Sequence, residues 1–327
     1  MRSRLAAIGA VLVVFGGVAA CGANHGTAAG AGHGSTSPNP ARVGRIPGLT
    51  VTGKVGTPPT VKIIAPLKVR SAETKVLVAG HGNTVQKDQE AMFQLYLANG
   101  RTGKKALSTY DRGAPLTQQM SPTGFLPQLV NAMVGKSDHS RIAFVDPTKD
   151  IWPKGQSSLG LKPTDPAVFV IDIMSVQPQD VLNGPKGTKV APPKDAPRVI
   201  EQGGKVTGLD WSHTPKKPPN KLEVIPLVKG HGPVAKSGTL VTFNYYGAVW
   251  RSNKPFDSSY TRPQPTPFGV GVHGLIPGWD KTIPGLHRGS RVLLIVPPQD
   301  GYGSQAQQNI PANSTLVFVV DVLGVDG

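Results

Sequence analysis

Cysteine is almost missing from this sequence. Cys21 is the only one in 327 residues, which excludes an intramolecular disulfide, a thiolate metal site and a Cys-Cys redox pair. Acidic residues are also scarce, 19 against 35 Lys and Arg, and aromatics make up only 6%. The resulting formal charge of +16 is not gathered in one place: residues 1–44 carry +3, 45–175 carry +7 and 176–327 carry +6. A nucleic-acid binder concentrates its cations on one stripe, often with aromatics between them, so no nucleic-acid partner is expected. Milder attraction to an anionic membrane surface or to acidic envelope polymers fits the even excess. The chain also lacks a His pair at i, i+4 spacing, a P-loop, a G-x-S-x-G elbow and paired carboxylates on a credible helix. No metal and no cofactor is expected.

Glycine and proline, by contrast, are abundant, at 40 and 32 residues, so much of the chain is loop. With 38% hydrophobic residues it still has the apolar material for one or two domains of roughly 100 to 150 residues. Met1-Arg-Ser-Arg4 and the apolar run from Leu5 to Ala20 have the charged and hydrophobic regions of an export signal, too short to span a bilayer. Val18-Ala-Ala-Cys21 closes that run with small residues before the lone Cys and resembles a bacterial lipobox, whose Cys thiol is diacylated. A signal-peptidase site beside an incidental Cys is the plainer alternative. Residues 22–44 are Gly, Ala, Ser and Pro with almost no large side chain, a composition that cannot offset the entropy of ordering and reads as a tether. His25 and His33 within it read as solvated polar residues.

Self-comparison finds a period near 150. Gly80-His-Gly82 recurs as Gly230-His-Gly232, Tyr96 as Tyr245, Gly124-Phe-Leu-Pro127 as Gly274-Leu-Ile-Pro277 and Arg141 as Arg291. Ala167-Val-Phe-Val-Ile-Asp172 recurs as Leu316-Val-Phe-Val-Val-Asp321. Colinear matches at so long a period mean two copies of one domain. The organisation expected is a signal over 1–20, a tether over 21–44, domains over 45–175 and 198–327, and a polar, Pro-rich linker over 176–197. Each copy reads mainly as strands, because its β-branched and aromatic runs are bounded by Gly, Pro and Asn. One short helix fits per copy; Pro277 suits its first turn, and Trp279 and Ile283 fall on one face. His81 and His231 read as turn residues rather than ligands.

Asn244-Tyr-Tyr-Gly247, Lys254-Pro-Phe-Asp-Ser-Ser259, Gly274-Leu-Ile-Pro-Gly-Trp279, Gly301-Tyr-Gly303 and Ile310-Pro-Ala-Asn-Ser-Thr-Leu-Val-Phe318 stand in this order over roughly residues 222–325. In these motifs the C-terminal copy resembles the FKBP-type peptidyl-prolyl cis/trans isomerases. The resemblance implies an α+β fold of two tandem FKBP-like domains, each an antiparallel curved sheet wrapped around one short helix. It assigns catalysis to Asp257, Tyr302 and Trp279, and substrate binding to Tyr245, Phe256, Arg262, Phe268, Leu275, Ile276, Ile310 and Phe318. Trp279 would be the pocket floor. X-Pro segments of exported or envelope proteins would be the partners, with macrolide ligands of the family as further candidates. Two departures touch substrate preference: Thr266 stands where the family usually has an aromatic, and the loop over 304–309 is short and lacks a His. Read without the family, Trp279, Phe256 and Phe318 are equally core residues, and Asp257-Ser-Ser259 is equally a polar turn.

By the repeat, Ala106 and Leu107 stand opposite Phe256 and Asp257, and Leu129 opposite Trp279, with Tyr96 and Phe169 kept. The N-terminal pocket is thus expected to be narrowed or filled by Phe125 and Leu126, with a remnant groove near Trp152 as the alternative. The function expected is a lipid-anchored, extracytoplasmic prolyl isomerase that assists folding of exported proteins, active in its C-terminal domain. The alternative is a non-catalytic binding or chaperone lipoprotein of the envelope.

Overall fold

The computed structural model describes residues 44–325; Cys21, His25 and His33 lie outside them. The N-terminal copy begins with a hairpin, β1 (Leu49–Thr52) and β2 (Thr60–Ile63). Strands β3 (Glu73–Val78), β4 (Glu90–Asn99), β5 (Lys105–Ser108) and β6 (Leu116–Gln119) follow. Then come α1 (Pro127–Met133), β7 (Ser140–Pro147), α2 (Thr148–Ile151) and β8 (Pro166–Val176).

The C-terminal copy opens with β9 (Gly187–Lys189) and the hairpin β10 (Arg198–Gln202) and β11 (Lys205–Asp210). It continues as β12 (Glu223–Gly230), β13 (Leu240–Val249), β14 (Pro255–Ser258) and β15 (Thr266–Gly269). Helix α3 (Pro277–Thr282), β16 (Arg291–Val296) and β17 (Leu316–Val325) complete it.

The two sheets have the same strand order, β3-β7-β8-β4-β5 with β6 on β4, and β12-β16-β17-β13-β14 with β15 on β13. All their pairings are antiparallel. Bulges fall at matching places: Val76/Val78 and Pro226/Val228, Met92/Phe93 and Thr242/Phe243, Leu97/Ala98 and Gly247/Ala248. Because a bulge re-aims every residue beyond it, three shared bulges fix the correspondence of the copies residue by residue. The tandem arrangement expected from the repeat is the one observed.

Each sheet is covered on both faces. Helix α3 lays Trp279 on the inner face, with Ile283 at its C-terminal end, among Phe243, Val292, Leu294 and Val320. On the outer face, Val206 and Leu209 of the second hairpin pack with Leu293, Ile295, Val317 and Val319. The first hairpin does the same through Leu49 and Ile63 over Ala143, Val145 and Val168. This second cover was not expected from the sequence.

Two local expectations need correction. The N-terminal copy has a second short helix, α2; the corresponding place in the other copy forms only the 3-10 turn Pro298–Asp300, ended by Gly301. The segment expected as a plain linker, 176–197, is not a free tether. Leu182 N–H donates to Leu323 O at 3.1 Å, Lys186 N–H to Gly289 O at 2.8 Å, and β9 pairs with β12.

Behind each sheet lies the same triad, built on a buried Arg–Asp pair. Asp321, 1% exposed, accepts from Arg291 (2.7 Å to Nη2) and from the Tyr260 hydroxyl (2.6 Å). Arg291 reaches out to Glu201 of β10. In the other copy Asp172 holds Arg141 (2.7 Å to Nη2) and Tyr110, and Arg141 donates to Gly53 O, Lys54 O and Thr57 O of the first hairpin turn. The recurring Arg and Asp of the sequence are thus the bolts that fasten each hairpin to its sheet.

Candidate functional site

Trp279 sits at the third position of α3 and is 4% exposed. Aromatic rings meet it edge to face: Phe318 with centroids 5.4 Å apart at 83°, Tyr245 at 5.5 Å and 88°, Phe268 at 6.1 Å and 90°, and Phe243 at 5.5 Å and 73°. Phe256 stands against Phe318 at 5.5 Å and 84°. Edge-to-face packing places the positive rim of one ring on the negative face of another, so the arrangement is a rigid apolar cup. Leu275, Ile276, Ile310 and Tyr302 belong to the same cluster. Every apolar residue assigned from the motifs is therefore brought together. The indole N–H of Trp279 is buried and meets no acceptor among the described residues.

Polar groups line one side of the cup. The Tyr245 hydroxyl donates to Asp257 and accepts from Arg262 Nη1 at 3.0 Å. Arg262 Nη2 bonds Asp257 Oδ1 at 2.7 Å, and its guanidinium carbon lies 5.5 Å from the Tyr245 ring centroid. Burial, reinforced by the bond to Asp257, pushes the Tyr245 hydroxyl up to about 12. Burial works against the charge of Arg262, but its bonds to Tyr245 and the Asp257 carboxylate outweigh that and raise it. The Tyr302 hydroxyl is raised by burial and then by the Asp257 charge, and it stays a proton donor at neutral pH. The site thus offers one fixed carboxylate, one fixed cation and hydroxyl donors at the rim of an aromatic cup.

Local structure explains how the chain places these groups. Ser259 Oγ accepts from Tyr245 N–H at 2.8 Å, tying the turn after β14 to β13. Three residues, Phe243, Ser259 and Thr266, were missed by motif reasoning. Phe243 lies two residues before Tyr245, so strand alternation alone puts it on the same face. Thr266, taken only as a departure from an aromatic, accepts from Arg262 Nη1 at 3.0 Å; its hydroxyl fixes the cation where a ring could not.

Residues 232–323 match the family described as FKBP-type peptidyl-prolyl cis-trans isomerase. An FK506-binding protein of Streptomyces anulatus is 34% identical over 111 residues, which are 33% of this chain and 90% of that protein. The chain belongs to the FKBP family. FK506-binding protein 2 of Gibberella zeae is 41% identical over 92 residues, 28% of this chain and 47% of that protein. The FKBP-type isomerase FkpA of Escherichia coli is 39% identical over 103 residues, 32% of this chain and 36% of its own length. The chain thus spans less than half of these last two relatives. Its C-terminal copy is an FKBP-type peptidyl-prolyl cis-trans isomerase domain.

The N-terminal FKBP-like copy is built differently inside. Leu95 N–H bonds Thr109 Oγ1 at 2.9 Å as Tyr245 N–H bonds Ser259, and Leu97 pairs with Leu107 as Gly247 pairs with Asp257. The counterpart of Tyr245 is therefore Leu95, and Tyr96 corresponds to Tyr246; the equivalence of Tyr96 with Tyr245 is corrected. A side chain on Gly247 would strike the Phe256 ring at 2.8 Å. In the other copy Ala106 replaces that ring and Leu97, fully buried, takes up its space. Phe125 and Leu126 pack on this core, Phe125 against Phe93 at 5.7 Å, but Leu97 makes the principal change. Asp146 stands at the register place of Val296, and burial followed by the Asp150 charge pushes its carboxyl up to about 6. Acid, hydroxyl and indole are gone from the cup, and a carboxyl has entered its wall.

Proposed function

We propose that this protein isomerises X-Pro bonds of exported or envelope proteins with its C-terminal domain, while a lipid on Cys21 holds it to the cell membrane. The observation that carries the catalytic reading is the cup of Trp279, Phe318, Phe256 and Phe268 with the Asp257, Tyr245 and Arg262 network at its rim. Rotation about an X-Pro bond crosses a barrier of about 18–20 kcal/mol, because amide resonance is lost at the perpendicular state. The twisted amide carries less charge separation than the planar one. An apolar aromatic floor therefore disfavours it less than water does, and binding that tightens toward the twisted state lowers the barrier without a nucleophile. Tyr302 can donate to the substrate backbone, and Asp257 keeps Arg262 and Tyr245 in place.

The test is the cis-to-trans rate of a short X-Pro peptide. Tyr302→Phe keeps the ring and removes a neutral hydrogen bond worth about 0.5–1.5 kcal/mol, a loss of roughly two- to tenfold in kcat/KM. Asp257→Ala releases a charged network, and a loss of about tenfold or more is expected. If both folded variants keep the wild-type kcat/KM, a binding module without turnover replaces the isomerase.

The anchor rests on Leu5 to Ala20 and the lone Cys21. Among the described residues no helix is long and apolar enough to cross a membrane. Cys21→Ser is expected to move the protein out of the membrane fraction or leave it unprocessed. A wild-type protein that incorporates no labelled fatty acid would refute the lipid claim.

A further inference from the structure

Met92 and Ser175 are fully buried, yet neither belongs to the hydrophobic core of the N-terminal copy, which includes Ala91 and Phe93 on either side of Met92. The C-terminal copy covers them. Ser175 Oγ accepts from Leu240 N–H at 2.9 Å. Met92 Sδ lies beside Gly269, so close that a Cβ added there would stand 2.7 Å from the sulfur. Leu240 and Gly269 are themselves cross-strand partners at the end of the β13–β15 pair. The two contacts thus grip both members of one rung.

The next rung is Val241 with Phe268, and Phe268 is the cup wall that touches Tyr245, at 6.0 Å, and Trp279. Strand β15 has four residues and pairs only with β13 among the described strands. Beyond that pairing, Phe268 is placed by its ring contacts within the cup and by bonds at the two ends of the strand, Arg262 to Thr266 and Val270 N–H to Thr239 O, so the seam at Gly269 adds to its placement from the outside. Strand β4, which carries Met92, is held between β8 and β5 with β6, and is the stiffer of the two.

We propose that the N-terminal copy, its own cup filled, acts as a positioning element for the C-terminal site, setting the Phe268 wall through Met92 and Ser175. This rests on the isomerase reading above. A wall is in contact with planar and twisted amides alike, so displacing it changes KM more than kcat.

The experiment uses the full chain. Gly269 is not among the glycines with positive φ, so its backbone accepts alanine, and Gly269→Ala acts by pressing on Met92 Sδ. Met92 is fully buried, so its thioether has little room to turn aside, and the remaining strain is expected to pass to the four-residue strand β15. KM for a short X-Pro peptide should rise roughly three- to tenfold with little change in kcat, and the fluorine resonance of 5-fluorotryptophan at Trp279 should shift. Met92→Ala in the Gly269→Ala background removes the sulfur and should return both readings toward wild type. A purely structural contact would lower the melting temperature and leave KM and the resonance unchanged.

Unchanged KM and resonance in Gly269→Ala, or no return in the double variant, overturns the proposal while the isomerase reading stands. If the wild-type chain shows no turnover, the isomerase reading fails, and the Trp279 resonance alone decides whether the seam sets the wall. Should Gly269→Ala not fold, Ser175→Ala supplies the same reading, with a raised KM in support and an unchanged one against.

Discussion

Trp279→Ala is expected to lower kcat/KM for an X-Pro peptide by one to two orders of magnitude, chiefly through a higher KM. The indole is the face on which Tyr245, Phe268, Phe318 and Phe243 all converge. The part of the indole left at the floor of the cup meets planar and twisted amides alike, and the four rings that rest on it lose their support with it; one to two orders of magnitude correspond to about 1.4–2.7 kcal/mol. The substitution also opens a cavity in the core, at a cost of about 3–5 kcal/mol in stability. Trp279→Phe separates the two effects, since it keeps an aromatic floor and most of the packing. Steady-state kinetics at a temperature well below both melting transitions checks this. A folded Trp279→Ala domain with kcat/KM within twofold of wild type would remove Trp279 from the site.

A loss of stability of the same size is expected from Asp321→Ala. This carboxylate, 1% exposed, is the shared acceptor of Arg291 and Tyr260, themselves 5% and 8% exposed. Burial raises the Tyr260 hydroxyl above its ordinary range, with the Asp321 charge adding to it, so a neutral phenol donates to an ionised acid. Removing the acid leaves a buried guanidinium with Glu201 and a long bond to the Tyr260 hydroxyl, 3.4 Å, as its partners among the described residues, and breaking a buried pair in this way costs about 3–5 kcal/mol. Replacing the pair together, Asp321→Leu with Arg291→Met, should cost far less than the sum of the single changes, because no orphan charge remains. Denaturant unfolding of the single and double variants measures it. Additive losses would mean that the triad is three independent contacts.

The same triad explains part of what was legible in the sequence. Arg141 and Asp172 recur as Arg291 and Asp321, and in both copies charge and burial fix each on the other. The cup was legible for a related reason. Asp257, Tyr302, Trp279, Phe256, Phe318 and the rest stand in short motifs whose order survives along the chain, and the structure gathers all of them at one site. Strand content, the two copies and the short helix begun by Pro277 likewise follow from local pattern: apolar alternation, turn residues and period.

What only the tertiary structure decided were matters of register and of contact between distant segments. Tyr245 and Tyr246 are adjacent, and either can be matched to Tyr96 in a comparison of letters. From β3 and β12 onward the copies keep an offset of 150 as far as the turn at Pro298–Asp300, and the offset becomes 149 in β8 and β17; a slip of one residue would turn a side chain to the opposite face. The exchange of the Phe256 ring for the Leu97 side chain is invisible for the same reason: it joins two strands across a bulge. The seam of Met92 with Gly269 leaves no trace in composition, periodicity or motif, because it depends on how two finished sheets meet. Sequence pattern records what each segment needs from its own face and turn; which distant atoms fill the remaining space is set by packing, and packing is decided only when the segments come together.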